Sequence, residues 1–252
     1  MKLMTSMAAL LALAAPTLAQ DAPEPTREER QAQSRVTEIA GPEPRLVQTP
    51  EGEPPSDAVV LFDGTNLDGW ESVNGGAAEW VVEDGAMRVA RGSGDIRTTE
   101  SFCDVQLHVE WRSPPNSEGH DSQDRGNSGI FLQSRYEVQV LDSFENPTYA
   151  NGQAGSIYKQ HLPLVNASRA PEEWQTYDII FQAPIFSDEG ALRRPAHVTV
   201  LHNGVVVQNH AQIQGVTEWI GYPAYEAHDC APIQLQDHDA DVSFRNIWVR
   251  PM

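Results

Sequence analysis

The side chains best suited to chemistry in this sequence fall at alternate positions of short apolar runs. Glu110 and Arg112 alternate with Val109 and Trp111, and Glu137 and Gln139 alternate with Tyr136, Val138 and Val140. Gln133, Gln234, Gln236 and Arg245 recur in other runs of the same kind. Carboxylates, amides and guanidiniums, with no lysine or threonine among them, make a hydrogen-bonding surface suited to a polyhydroxylated ligand. The plainer alternative is a solvated outer sheet with incidental salt bridges. Glu137 and Glu110 are the candidate catalytic carboxyls, and Glu110 has a structural alternative in pairing with Arg112 or Arg245.

His238, in QDHD (236–239), is the candidate base among eight histidines. Imidazole titrates near neutrality, and this one stands at a strand end beside Asp237 and the Gln234/Gln236 face. A loop histidine at the surface is the alternative. Lys159 lies in GSIYKQ (155–160) and is the one lysine beyond Lys2. It suits a developing negative charge, or a salt bridge to one of many carboxylates. Tyr158 offers a ring or a hydroxyl to a sugar, or simple core packing. Trp219, in a loop, reads as the rim of such a site. Two acidic stretches, 117–129 and 236–242, invite a divalent cation such as calcium, but neither has the spacing of an EF-hand loop. No cofactor is otherwise indicated.

These residues need strands to position them. Short apolar or alternating runs recur through the body, separated by Gly, Asn, Asp and Pro. Strands are expected at 58–62, 79–82, 86–90, 95–98, 104–112, 128–133, 136–141, 176–182, 197–202, 205–209, 232–236 and 242–249. Asn203-Gly204 and Asp84-Gly85 mark two hairpin turns, since both pairs tolerate positive φ. Alternation places Val105, Leu107, Val109 and Trp111 on one face and Gln106, His108, Glu110 and Arg112 on the other. It likewise places Arg245 with Ile247 and Val249, opposite Phe244 and Trp248. A dozen short strands and no long helical period imply an all-β fold, a two-sheet sandwich of jelly-roll type.

Composition narrows the partners. With 17 Lys+Arg against 36 Asp+Glu the formal charge is -19, which argues against nucleic acid and anionic membrane surfaces. A small-molecule substrate is expected instead. Residues 1–19 read as a secretory signal peptide: Lys2, an apolar stretch over 7–15, and small residues Thr17 and Ala19 before a cut at Gln20. That implies a periplasmic or secreted protein. No later run suggests insertion into a membrane. Residues 20–56, with seven prolines, read as an extended lead-in holding one short helix near 27–39. The folded body is then 57–252. Cys103 and Cys230 either pair, closing a long loop, or remain two free thiols.

At this point ordered motifs carry a resemblance. LFDGTNLDGW (61–70), EWR (110–112), NSGIFLQSRYEVQVLDS (127–143) and GSIYKQ (155–160) are followed by four more. These are EWQTYDIIFQAP (173–184), VTVLHNGVVVQN (198–209), PIQLQDHD (232–239) and VSFRNIWVRP (242–251). In this order they resemble the 3-keto-disaccharide hydrolase domain family over nearly all of 57–252. The resemblance implies a concanavalin-like, glucanase-like jelly roll. It also implies cleavage of glycosides already oxidised to a ketone at sugar C3. Such a ketone acidifies the C2 hydrogen. A base removes it, the enolate expels the C1 substituent, and an acid protonates the leaving oxygen. Two rivals remain. One is a non-catalytic, lectin-like carbohydrate-binding domain. The other is a conventional glycosidase using Glu110 and Glu137 as facing carboxylates, though it lacks the E-x-D-x-x-E pattern of glucanases.

Overall fold

The computed structural model describes residues 24–115 and 120–252, so the signal peptide read at 1–19 lies outside the described residues. Contacts divide the chain into two units, Met1–Leu46 and Val47–Met252. In the described part of the first, helix α1 (Arg27–Ser34) continues into a 3-10 turn, Arg35–Thr37. Its start is a capping box: Glu29 N donates to the Thr26 hydroxyl, and Thr26 N donates to the Glu29 carboxylate. None of its residues is buried.

The second unit is an antiparallel β-sandwich of the concanavalin-like jelly-roll class. Its strands are β1 (Val59–Phe62), β2 (Trp70–Ser72), β3 (Val81–Glu83), β4 (Ala86–Arg88), β5 (Ile96–Thr98), β6 (Val105–Arg112), β7 (Ser128–Leu132) and β8 (Tyr136–Val140). They continue as β9 (Gln175–Gln182), β10 (Ile185–Phe186), β11 (Leu192–Arg194), β12 (His197–His202), β13 (Val205–Gln212), β14 (Gln234–Leu235) and β15 (Ser243–Pro251). The larger sheet runs β13-β12-β9-β6-β15-β4-β3, with β1 also on β15. The smaller runs β2-β5-β14-β7-β8, and β10-β11 form a separate ribbon. The Asn203-Gly204 and Asp84-Gly85 hairpins are formed as expected, with all four residues at positive φ. Strands β2, β10 and β11 were not anticipated; each is only two or three residues long, too short to show a period.

Alternation is clean where strands are long. Along β6, Val105, Leu107, Val109 and Trp111 are buried and the residues between them are half-buried. They meet the inner face of the smaller sheet, where Ile130, Leu132, Tyr136, Val138 and Val140 are fully buried. Tyr136 packs its ring 5.9 Å from Phe181 of β9. Tyr177 Oη of β9 donates to Gln139 O of β8 at 2.8 Å, so this buried hydroxyl is satisfied. Cys103, just before β6, is bonded to Cys230, ahead of β14, which settles the open cysteine alternative.

The expected faces of 242–249 need correction. The register of β15 against β6 shifts between Arg245 and Trp248, and Asn246 has φ 46°. The extra residue of this bulge reverses the alternation. Phe244, Ile247 and Val249 therefore all enter the core, while Arg245 lies outward opposite Glu110 and Trp248 opposite His108. Among the described residues no helix is long and apolar enough to cross a membrane.

Candidate active site

The outer face of the smaller sheet opens into a cavity of about 600 Å³, within the range typical of ligand pockets. Strand β8 points Glu137 and Gln139 into it, as alternation required. β7 adds Phe131, which is paired with Glu137; Gly129 of the same strand is paired with Gln139. Gly129 is small for a reason. A Cβ at that position would stand 2.6 Å from Glu137 Oε1 and 2.9 Å from Phe131 Cε2, so the missing side chain is the space the carboxyl occupies.

Glu137 is only 4% exposed. Burial pushes its carboxyl up to about 8, and the nearby charge of Asp95 adds to the effect. With its amide nitrogen turned to the acceptors, Gln139 donates to Glu137 Oε1 at 2.9 Å and to Ser128 O at 3.1 Å. The backbone around Glu137 is held from two sides. Its N–H donates to Thr217 Oγ1 at 3.0 Å, and its carbonyl accepts from Tyr158 N at 3.2 Å.

His238 and Gln236 enter from the segment that follows β14. Gln236 N donates to Gly129 O at 3.0 Å, and Ser128 Oγ donates to Gln236 O at 2.7 Å. Asp237 N donates to Asp95 Oδ1 at 2.9 Å, and Asp237 Oδ2 accepts from Gly94 N at 3.0 Å. The loop bearing His238 is thus pinned to the loop ahead of β5. Asp95, like the lining residues Gln123, Asn127, Phe131, Tyr149 and Thr217, was not among the residues that the sequence pointed to. Burial raises its carboxyl above the ordinary range despite hydrogen bonds from Asp237 and Gln234. Its signal was weak, a single carboxylate at the head of a three-residue strand.

Tyr149 and Tyr158 form another wall, their hydroxyls 2.7 Å apart. Burial and the Tyr149 hydroxyl raise Tyr158, so it stays a protonated donor. Gln123, Asn127, Thr217 and Trp219 complete the lining. Trp219 is 71% exposed at the rim, where its sequence context placed it.

Several expected site residues stand elsewhere. Glu110, Arg112 and Arg245 are on the outer face of the larger sheet, so Glu110 does not face Glu137. There Arg245 Nε donates to Glu110 Oε2 at 2.6 Å and Asn246 Nδ2 to Glu110 Oε1 at 2.9 Å. Arg112 and Arg245 both stack on Trp174, at 4.7 and 4.1 Å from the ring centre. Burial alone would raise Glu110, but these hydrogen bonds and the Arg245 charge hold it below the ordinary range. Gln133 sits at a turn with φ 53°, not on the strand face, and lines a different cavity beside the disulfide. Gln234 is not in the lining; its Nε2 donates to Asp95 Oδ2 at 2.7 Å. Lys159 is also outside the lining, and its ammonium donates to Trp219 O at 2.9 Å. Of the expected set, the cavity gathers His238, Glu137, Gln139, Tyr158 and Gln236.

Among the described residues no three His, Cys, Asp or Glu gather as a metal site, and residues 116–119 of the first calcium stretch are outside them. The second stretch is engaged internally: Arg91 forms a two-bond fork with Asp241, and Asp239 N donates to Asp237 Oδ1.

Comparison with known proteins gives a consistent result. The family described as the 3-keto-alpha-glucoside-1,2-lyase-like domain matches residues 57–250. The chain is 51% identical to a Parabacteroides distasonis ATCC 8503 protein whose crystal structure was solved as that of a "putative glycosyl hydrolase". That match covers 93% of this chain and 100% of the other, with a TM-score of 0.82. Two further glycosyl hydrolase structures from the same organism match at 21% and 18% identity, with TM-scores of 0.57 and 0.54. They cover 78% and 77% of this chain and 94% and 99% of the others, and show the shared fold. No curated protein matches the sequence.

Proposed function

The chain belongs to the 3-keto-alpha-glucoside-1,2-lyase-like domain family, and from that premise we propose that it cleaves 3-keto-glycosides by β-elimination. The broader reading, a carbohydrate-active enzyme, has support from the family and from the 51%-identical neighbour. One observation carries the finer reading: among the described residues, the cavity is lined by one carboxyl, held neutral by burial, and one imidazole. A carboxyl that keeps its proton can serve as an acid, and an imidazole beside it in the same cavity as a base. A conventional glycosidase needs two carboxyls flanking the bond, and Glu110 is on the opposite sheet.

In this reading His238 takes the proton from C2, and the electron pair of that C–H bond forms the C2=C3 double bond of an enolate. The Tyr158 hydroxyl donates to the enolate oxygen. As the C3 carbonyl reforms, a C1=C2 double bond forms and the C1–O bond breaks. Glu137 gives its proton to the leaving oxygen. Nothing is oxidised or reduced, and water adding across the new double bond gives net hydrolysis. Export to the periplasm or beyond is part of the proposal, supported by the formed disulfide, which persists in oxidising compartments.

The test is to incubate purified protein with a 3-keto-glucoside and with its unoxidised parent. Aglycone release from the keto form alone is expected. Release from the parent alone would overturn the reading, and binding without turnover across a sugar panel would favour a binding domain. His238→Ala should lower the rate with keto substrate by about a thousandfold, within the usual span for acid–base groups, and change binding far less. Unchanged turnover would remove His238 from the base role.

A further inference from the structure

The lone lysine of the body binds the loop that carries Trp219, its ammonium 5.5 and 6.0 Å from the ring centres of Tyr149 and Tyr158. Lys159 and Gln160 follow Tyr158 through a left-handed turn, Lys159 having φ 58°. From there both side chains reach the 214–222 loop. Lys159 Nζ donates to Trp219 O at 2.9 Å. Gln160 Nε2 donates to Gly215 O at 2.9 Å, and Gln160 Oε1 accepts from Gln214 N at 2.7 Å. Between these points Thr217 Oγ1 accepts from Glu137 N. The loop carries no strand or helix of its own, so these bonds fix where Trp219 stands.

Trp219 lines the cavity but is mostly exposed, and Ile220 and Tyr222 beside it are 74% and 96% exposed. Two tyrosines and the acid occupy the deeper wall. An exposed indole at the rim offers its negative face to the C–H edge of a second sugar ring. We propose that Lys159 is a positioning residue: with Gln160 it latches the loop so that Trp219 forms the platform for the leaving-group sugar. This rests on the proposed reaction for its substrate and on the three latch bonds for its geometry.

The experiment compares wild type, K159M, K159R, W219A and the K159M/W219A double variant with a 3-keto-disaccharide and with methyl 3-keto-glucoside. K159M is expected to raise KM for the disaccharide about tenfold, the cost of one charge-assisted hydrogen bond, with kcat held. W219A should do the same, the double variant should lose no more than either alone, and K159R should recover most of the loss. With the methyl glycoside, which has no second ring, the KM loss of K159M and W219A should be smaller than with the disaccharide. A K159M loss in kcat equal for both substrates would overturn the proposal by placing the ammonium at the reacting centre. Amide hydrogen exchange keeps the latch testable if no keto substrate is turned over. Faster exchange across 214–222 in K159M, but not across β7 or β8, supports the latch, and unchanged exchange overturns it.

Discussion

Glu110 and Glu137 stand at equivalent outward positions on the two sheets, and their surroundings drive them apart. On the larger sheet, Glu110 meets a guanidinium and an amide, and Arg245 is stacked on Trp174. Its charge is balanced by the Arg245 guanidinium. On the smaller sheet, Glu137 is more deeply buried and has an amide partner but no cation in the lining around it. The same side chain becomes an ion-pair member in one place and, in the other, a carboxyl that burial pushes up to about 8, the one proposed as the acid. A carboxyl is therefore kept neutral by the absence of a counter-ion as much as by burial.

The sharpest way to break this contrast is to remove each acid while keeping its shape. Glu137→Gln should lower turnover of a 3-keto-glycoside by about a thousandfold, whereas Glu110→Gln should leave it near wild type. Steady-state kinetics on both variants decides it, and equal losses would erase the distinction. Gly129→Ala comes next. Its methyl would take the place of Glu137 Oε1, so kcat should fall about a hundredfold through misplacement alone.

The pH responses should also differ in sign. Turnover that needs protonated Glu137 should fall as pH rises through about 8. Stability follows the same group. Between the ordinary carboxyl range and about 8 the folded state binds more protons than the unfolded one, so stability declines as pH rises through that window. Denaturant titrations at pH 5 and pH 8 should show Glu137→Gln gaining on wild type at the higher pH. Glu110, held low, contributes stability above its unfolded range and loses it as pH falls. The smallest effect belongs to that pair. Arg245→Met should lower the unfolding free energy by about 1 kcal/mol, as for a partly exposed ion pair, and leave kinetics unchanged.

Much of the fold was legible because its signals are local. The hairpin at Asn203-Gly204 and the alternation of β6 follow from neighbouring residues alone. What alternation does not encode is which sheet a polar face belongs to. That depends on pairings between distant segments, β14 lying between β5 and β7, and β6 beside β15. Hence Glu110 and Glu137 read as companions in sequence and are separated by the core in the fold. Arg245 was placed wrongly relative to Ile247 because one extra residue at Asn246 inverts the pattern. Glu137, Gln139 and His238 were found because a mid-strand acid, its amide neighbour and a strand-end histidine are each unusual by themselves. Asp95 was not, because its importance lies in three partners that sequence leaves far away.

The bond between Cys103 and Cys230 turns 127 positions of separation into a covalent ring. Gln123, Glu137, Tyr158 and Trp219 all lie within that ring, and of the residues lining the cavity only Gln236 and His238 lie outside it. A protease that cut one exposed loop inside the ring would leave a nicked molecule still joined to itself. Such a product would run as one band without reductant and as two with it, and it would keep its working parts together in surroundings rich in proteases.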